Sequence, residues 1–367
     1  MNGAKRFKGL NNITEHLRAG FSWLEIADNV LITDTGALRK REGYSLVAAG
    51  AYTGAFSTKD FKRMYLVDGG ALKSARPDGS FVTLRTGLST RRMHWTEIND
   101  QVFYNNGVDN GIIMPDDSLQ MWAWPTPPAP TLRAVTGSLP EGQYMVRLTY
   151  TLPDGRQTGA GEATFINLTE GHALQISDIP QIAGLAANVY VAPANNPVFM
   201  LARAAAPEAY VWNAAPSALG KYLMSPESGP FPSGTTSIQE WRGRIHAAQY
   251  FATEDTSVVW ASQALAFHLF DLDESFITVP GNVVMLAPHE DGLIIGTTAK
   301  IYVYDGKQLE QVAHYGVVPG QHWSRDEEEN RIVFWSTRGV CTGLPFANLT
   351  EDQISVPPGV NAGATVI

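Results

Sequence analysis

The chain of 367 residues contains a single cysteine, Cys341, so it cannot form an internal disulfide. Its fold must therefore be held together by packing and hydrogen bonds alone. Cys341 sits within an apolar, strand-like run. This setting predicts a small buried core residue in a reducing compartment.

Long apolar runs and an excess of basic charge are also missing. No stretch approaches the roughly 20 apolar residues that a membrane-spanning helix needs. The basic run Lys5–Lys8 is followed by Gly9–Asn12 and not by an apolar segment, so no signal peptide is expected. Lys and Arg total 27 against 36 Asp and Glu, a formal net charge of -9. We therefore expect no membrane insertion and no general affinity for nucleic-acid phosphate, which needs clustered basic side chains.

Signatures of catalysis are absent from the sequence. It has no nucleophile elbow, phosphate-binding loop or sialidase-type Asp box. No two of its histidines have the His-x-x-x-His spacing that places two metal ligands on one helical face. The histidines are His16, His94, His172, His246, His268, His289, His314 and His322. We predict no catalytic, metal-binding or cofactor-binding residue, no cofactor, and a protein that is not an enzyme.

Two segments come close to known binding motifs. Asp271–Ser275 opens like a calcium loop, but Phe276 and Asn282 stand where such a loop needs Gly and Glu. Gly159–Thr164 lacks the last small residue of a dinucleotide-binding fingerprint. Both segments are interpreted as turns.

What the sequence does contain is a repeated strand phrase. Each copy starts polar, runs through β-favouring apolar residues and ends at small or turn-forming ones. The copies span residues 63–70, 101–107, 292–298 and 331–339. The first two lie about 40 residues apart, as do the last two, and this is the spacing of propeller blades. One copy cannot bury its own face, so the recurrence predicts stacked units.

Two further segments have the same character. Residues 27–44 read as strand, turn and strand, and residues 244–262 read as another strand pair. Together with the repeated phrase they predict an all-β protein with a β-propeller of about five or six blades. The apolar C-terminal segment 360–367 is predicted to pair with N-terminal strands and close the ring, which would remove exposed strand edges.

Proline-rich segments interrupt the repeat. Trp124–Pro130 and Ser225–Gly234 are stiff and cannot join a sheet interior, so they are interpreted as linkers. We predict an N-terminal arm at residues 1–20, a discontinuous propeller at 21–125 and 235–367, and an inserted β-sandwich at 126–234. About seven short strands are expected in the insert. Its segments 142–150, 154–158 and 188–191 resemble fibronectin type III and related immunoglobulin-like modules.

The tryptophans and one acidic cluster allow more than one interpretation. Trp260 and Trp335 lie in apolar phrases and are predicted core residues, although exposed rings could also stack on sugars. Trp122 and Trp124 flank the first linker and are predicted to pack a domain interface. The cluster Asp326–Glu329 reads as a solvated turn. If it lined a channel instead, it would repel DNA phosphate.

The N-terminal region carries a family resemblance. Residues 7–12, 27–30 and 35–44 resemble the N-terminal region of tailed-bacteriophage virion proteins, similar to the propeller-bearing tail nozzle or packaged-DNA stabilisation proteins of short-tailed phages. The resemblance implies a structural tail subunit located in the virion and assembled in the bacterial cytoplasm. It implies a homo-oligomeric ring, commonly of six copies, that extends the DNA exit channel for genome ejection.

The same resemblance implies partners. These are the adaptor or portal side of the tail, fibres or a plug, and DNA that passes transiently without specific binding. The alternative is a host-surface-binding tail protein that recognises a glycan or a protein, since both predicted folds often display recognition loops, and fold does not establish function. A glycan-cleaving propeller enzyme would need paired carboxylates at a fixed separation.

Overall fold

A computed structural model describes residues 6–15, 18, 22–43, 45–46, 48–321, 323–326, 328–351, 353–355 and 362–363. The protein is all-β and consists of many small antiparallel sheets. Helical structure among these residues consists of one 3₁₀ turn, Pro216–Ala218, and the single helical residue Arg18. Parts of the predicted N-terminal arm and C-terminal strand, together with His16, His322 and Glu327, lie outside the described residues.

The N-terminal segment forms two separate strand pairs. The strands are β1 (Gly9–Leu10), β2 (Trp23–Leu24), β3 (Val30–Ile32) and β4 (Leu38–Lys40). Strands β1 and β2 are parallel, whereas β3 and β4 form a hairpin. In the hairpin turn, Gly36 has a φ of 77°, which favours glycine. The strand, turn and strand predicted at 27–44 therefore exist, but they form a two-stranded unit of their own.

The next two sheets are four-stranded antiparallel meanders. Sheet A contains β5 (Tyr52–Ser57), β6 (Met64–Asp68), β7 (Ala71–Ala75) and β8 (Phe81–Arg85). Sheet B contains β9 (His94–Ile98), β10 (Gln101–Asn105), β11 (Asn110–Ile113) and β12 (Leu119–Gln120). In both sheets the strands pair in chain order.

Residues 131–212 form two sheets packed face to face. The strands are β13 (Thr131–Leu139), β14 (Gly142–Thr151), β15 (Thr164–Leu168), β16 (His172–Ser177), β17 (Ala186–Ala192), β18 (Met200–Arg203) and β19 (Tyr210–Trp212). One sheet has the order β13-β16-β19 and the other β15-β14-β17-β18. Their inner faces share one apolar core, which includes Tyr144, Val189 and Trp212. We refer to these two sheets as the insert.

Three more antiparallel sheets follow the insert. Sheet C contains β21 (Ser237–Trp241), β22 (Arg244–Phe251), β23 (Thr256–Gln263), β24 (Ala266–Asp271) and β25 (Phe276–Pro280). The short strand β20 (Ser228–Gly229) from the second linker pairs with β24 at the edge of this sheet. Sheet D contains β26 (Val283–Pro288), β27 (Leu293–Thr297), β28 (Ile301–Tyr304) and β29 (Leu309–Ala313). After β30 (Gly320–Gln321), sheet E contains β31 (Trp323–Asp326), β32 (Arg331–Ser336), β33 (Gly339–Thr342) and β34 (Ala347–Asn348).

Each consecutive pair of sheets from A to E shares an apolar core. Phe56 and Trp95 stack between sheets A and B. Ile238 and Phe103 belong to the core between B and C. The cores between C and D and between D and E follow in the same way. Burial of apolar surface between neighbouring sheets, at about 25 cal/mol per Å², therefore stabilises the whole series and not each sheet alone.

The chain's last described strand is β35 (Ala362–Gly363). It pairs in parallel with β30 at Gly320–Gln321. This differs from the predicted pairing with N-terminal strands. The N-terminal segment instead contacts residues just before β35: the Asn12 amide nitrogen donates to the Ser355 carbonyl at 3.0 Å and the Ser355 N–H to Asn12 Oδ1 at 2.7 Å.

Both linkers grip one loop of the insert. Gly159 lies against the Ser228 carbonyl of the returning linker, and Gly161 lies against the Pro127 carbonyl of the outgoing one. A Cβ atom at either position would collide with backbone. The segment predicted as a turn, Gly159–Thr164, is an irregular packed loop that leads into β15. Its glycines allow the close approach of the two linkers.

We expect Gly161→Ala to lower the free energy of unfolding of the insert by about 1–3 kcal/mol, the usual cost of overpacking. The added methyl group would force Pro127 away from the loop. Urea denaturation measures the effect. Gly229→Ala is the matched control, because a Cβ there makes only ordinary van der Waals contacts, with the Leu272 side chain at 3.5 Å and the Phe270 carbonyl at 4.0 Å. Equal stability of the two variants would show that the linkers do not hold the loop.

Candidate functional site

A cavity of about 290 Å³ lies where the five sheets converge. It is lined by the first strand of each sheet: β5, β9, β21, β26 and β31, with Gly320 of β30 beside them. All five are edge strands of their sheets. Edge strands present unpaired backbone N–H and C=O groups, so the cavity wall is polar even where the lining side chains are apolar.

Two buried polar atoms of the cavity lining have no hydrogen-bond partner among the described residues. They are Ser237 Oγ and Trp95 Nε1. Burying such a group without a partner is unfavourable, so a water or a small polar ligand would satisfy them. Glu97 is also nearly buried, and its carboxylate accepts a hydrogen bond from the Lys59 backbone N–H at 2.7 Å.

The size and composition of this central cavity limit its chemistry. At about 290 Å³ it has the volume of a small-molecule pocket and cannot enclose a double helix. Glu97 is the one carboxylate among the described residues that line it. A glycoside hydrolase of the usual kind needs two, so the cavity does not supply that constellation. Neither Glu97 nor the unpartnered Ser237 and Trp95 atoms were singled out from the sequence, since their signal is tertiary.

One group of potential metal ligands exists in the described part of the chain, at His289, Glu290 and Asp291. The His289 ring is already engaged: Nε2 contacts the Asn330 carbonyl at 3.0 Å, and Nδ1 lies 3.2 Å from the Asp291 backbone N–H. The first contact requires a protonated Nε2 and the second an unprotonated Nδ1. Because the lone pair is used, the imidazole has no free ligand atom to offer.

The acidic segments are turns in the structure. Asp271 Oδ1 accepts from the backbone N–H groups of Asp273 and Glu274 at 3.2 and 3.0 Å, an Asx-type turn between β24 and β25. Asp326 ends β31 and forms an ion pair with Arg331 at 3.1 Å. None of the described residues of these two segments lines the central cavity.

The single thiol and most of the predicted core rings are buried as expected. Cys341 is fully buried, and burial raises the pKa of its thiol. It therefore stays protonated and is a poor nucleophile at neutral pH. Trp260 is 9% exposed and belongs to the core between sheets B and C. Trp335 is only partly buried.

Trp122 packs the chain before the insert against the chain that follows it. It is fully buried, stacks on Phe231 of the returning linker with ring centroids 3.8 Å apart, and donates its indole N–H to the Phe267 carbonyl at 2.8 Å. Trp122 therefore packs in the core that sheets B and C share with the second linker, and these contacts do not include the insert. Trp124 is half-buried.

Two buried histidines stand out electrostatically. Burial lowers the pKa of His246 to about 4, and the Arg244 backbone carbonyl opposes this shift only in part. Burial also lowers the pKa of His268, whose Nε2–H donates to the Gln157 carbonyl of the insert at 2.8 Å. Both imidazoles are therefore neutral at pH 7. Sequence patterns did not distinguish them from the other histidines, because burial of a polar residue on a strand depends on the neighbouring sheet.

Comparisons with known proteins identify no family and show only distant structural similarities. Neither protein-family models nor curated proteins match the chain. Among solved structures it is similar to virginiamycin B lyase from Staphylococcus aureus (8% identity, 80% of each chain, TM-score 0.34). It is also similar to a functionally unknown protein from Desulfotomaculum acetoxidans (9% identity, 90% of this chain and 92% of that one, TM-score 0.34).

A further similarity is to the extracellular domain of a hybrid two-component system from B. thetaiotaomicron (10% identity, 85% of this chain, TM-score 0.34). The chain spans 35% of that structure's length. At these identities and TM-scores the similarities say nothing about activity or partners. No helix in the described ranges is both long and apolar enough to span a membrane.

Proposed function

We propose that the chain is a non-enzymatic structural subunit of a bacteriophage tail, in which copies assemble into a ring. In this proposal sheets A to E are the blades of a five-bladed propeller, and the insert is an immunoglobulin-like sandwich that projects from it. The N-terminal resemblance to tail nozzle proteins points to this role. Neighbouring copies, adaptor or portal proteins, fibres and a plug are the proposed partners.

The observation that carries the proposal is the β3–β4 hairpin. Within the described part of the chain, these two strands pair only with each other. The Phe7 N–H donates to the Gly36 carbonyl in the hairpin turn at 2.7 Å, but a two-stranded hairpin with so little support is marginal in water. Leu31 and Leu38 are nevertheless 50% and 44% exposed on it. A contact outside the chain would cover these side chains and stabilise the hairpin.

Charge favours a second copy as that contact. The hairpin ends in the basic run Arg39–Arg41, whereas the chain as a whole has a formal net charge of -9. A basic segment is attracted to the acidic surface of a neighbouring subunit, and such complementarity fixes the orientation of docking. Ring closure by a repeated head-to-tail contact of this type gives cyclic symmetry.

The proposed DNA channel lies between subunits and not within one. The central cavity of a single chain is too small for a duplex, so a ring of copies would have to enclose the path. A rigid subunit suits this role. The insert is held to the sheets by the gripped loop, by the His268–Gln157 hydrogen bond and by the Arg156–Gln120 contact at 3.0 Å.

Assembly tests the proposal. We expect the purified chain, alone or with other tail proteins, to form closed rings by negative-stain electron microscopy and native mass spectrometry. The double variant Leu31→Asp/Leu38→Asp should lose at least 90% of the rings and keep its thermal unfolding midpoint. Val82→Asp, which alters a side chain 42% exposed on sheet A, should assemble normally.

Two results would refute this assignment. One is a wild-type chain that stays monomeric with every tail protein and is missing from phage particles. The other is unchanged assembly of the double hairpin variant.

A further inference from the structure

A second cavity, of about 400 Å³, lies at the surface between sheets C and D. We call it the C–D groove. Sheet C contributes Trp241, Arg242, Arg244 and His246, and sheet D contributes Tyr304. Its volume falls in the range of small-molecule sites. It is separate from the central cavity and from the β3–β4 hairpin.

One wall of the groove is a fixed aromatic group. The Trp241 and Tyr304 rings lie 5.8 Å apart in an edge-to-face arrangement, and the Trp241 indole N–H donates to the His289 carbonyl at 2.7 Å. The Arg242 guanidinium sits 4.4 Å above the indole ring and donates to the Asp305 and Glu290 carbonyls at 2.9 and 3.0 Å. These contacts hold the wall in place before any ligand arrives, which reduces the entropy lost on binding.

The other wall carries unused hydrogen-bonding capacity. Arg244 has five N–H donors, yet among the described residues its guanidinium makes one long contact, to the Ser262 carbonyl at 3.5 Å, and no ion pair. Alternation along β22 places Arg244 and His246 on the same face of sheet C. His246 is 5% exposed, and its Nδ1 has no hydrogen-bond partner of normal geometry.

This combination selects a ligand class. A planar guanidinium with free donors suits a carboxylate, which it can bind through two parallel hydrogen bonds. The exposed residue Glu274 also lines the groove, and its negative charge repels a doubly charged phosphate more strongly than a singly charged carboxylate. Tyr304 offers both a ring face for an apolar C–H surface and a hydroxyl for a polar group.

We propose that the C–D groove binds a sugar that carries a carboxylate, with the carboxylate on Arg244 and the sugar ring against Tyr304. The groove holds one monosaccharide unit of an acidic glycan. It does not depend on ring assembly, because one chain supplies all of it. An acidic surface polysaccharide of a host cell has this chemistry.

The test uses the full chain and simple probes. Saturation-transfer NMR and calorimetry with D-glucuronate, D-glucose, benzoate and inorganic phosphate should show binding of glucuronate and at least tenfold weaker binding of the other three. Arg244→Gln should weaken glucuronate binding at least tenfold. Arg133→Gln, at an exposed arginine of the insert, is the control and should bind as the wild type does.

Further variants separate binding from folding. Arg244→Lys keeps the charge and loses the planar fork, so it should bind glucuronate at least fivefold more weakly with an unchanged circular dichroism spectrum. Absence of glucuronate binding, equal binding of benzoate or phosphate, or full binding by Arg244→Gln would each overturn the assignment. Failure of ring assembly with retained glucuronate binding would refute only the tail-subunit proposal.

Discussion

Trp122→Ala is expected to lower the free energy of unfolding by about 3–5 kcal/mol, the range for truncating a large buried aromatic side chain. The ring is fully buried against Phe231, and its N–H bonds to the Phe267 carbonyl. The variant would leave a cavity and an unpartnered carbonyl where sheet B, sheet C and the second linker meet. Guanidinium denaturation followed by circular dichroism measures the loss.

Met121→Ala is the matched control for this substitution. Met121 precedes Trp122 in the chain and is 52% exposed. Its truncation should change stability by no more than about 0.5 kcal/mol. A loss of less than 1 kcal/mol in Trp122→Ala would show that sheet B, sheet C and the second linker pack together equally well without this ring.

The second large effect is a loss of stability in acid caused by His246. Its pKa is about 4 in the folded protein, whereas an unperturbed histidine has a pKa of 6.5. Between these values the unfolded chain binds more protons, so the free energy of unfolding falls as the pH decreases from about 6.5 to 4. Because of His246, the free energy of unfolding below pH 4 is lower than the value above pH 7 by on the order of 3 kcal/mol.

Denaturation curves at several pH values from 4 to 7.5 measure this effect. Acidic side chains also titrate here, so the comparison is with His246→Gln, which should have a distinctly shallower dependence on pH. His172→Gln, at a half-buried histidine of the insert, should follow the wild type. Equal slopes for the wild type and His246→Gln would contradict a neutral, buried His246.

Much of the architecture follows from the sequence because of one recurring position. Residues 63–70, 101–107, 292–298 and 331–339 each contain the second strand of a sheet, from β6 to β32. This strand has a partner on both edges and at least one face packed in a core shared with a neighbouring sheet, so it needs β-favouring apolar residues. The last strands β12 and β34 have only two residues each. They are too short to produce a pattern.

The sites were much harder to anticipate. Ser237, Glu97 and His246 are polar residues in strands, and local patterns assign such residues to a solvent face. Their burial comes from sheets far away in the sequence. The contact of Trp122 with Phe231 is of the same kind, because it joins the end of sheet B to the second linker, and the whole insert separates the two in the sequence. The absence of sequence motifs argues against common catalytic sites. It cannot predict a pocket whose lining residues come from different sheets.

The loop gripped between Pro127 and Ser228 has a mechanical consequence. A domain attached by one linker can rotate about it. A domain whose two linkers pack on either side of the same loop cannot rotate freely relative to the rest of the protein. A push on the far end of the insert would therefore be transmitted as torque to sheets B and C. Any signal that begins with contact at the insert would reach the body of the protein without a hinge to absorb it.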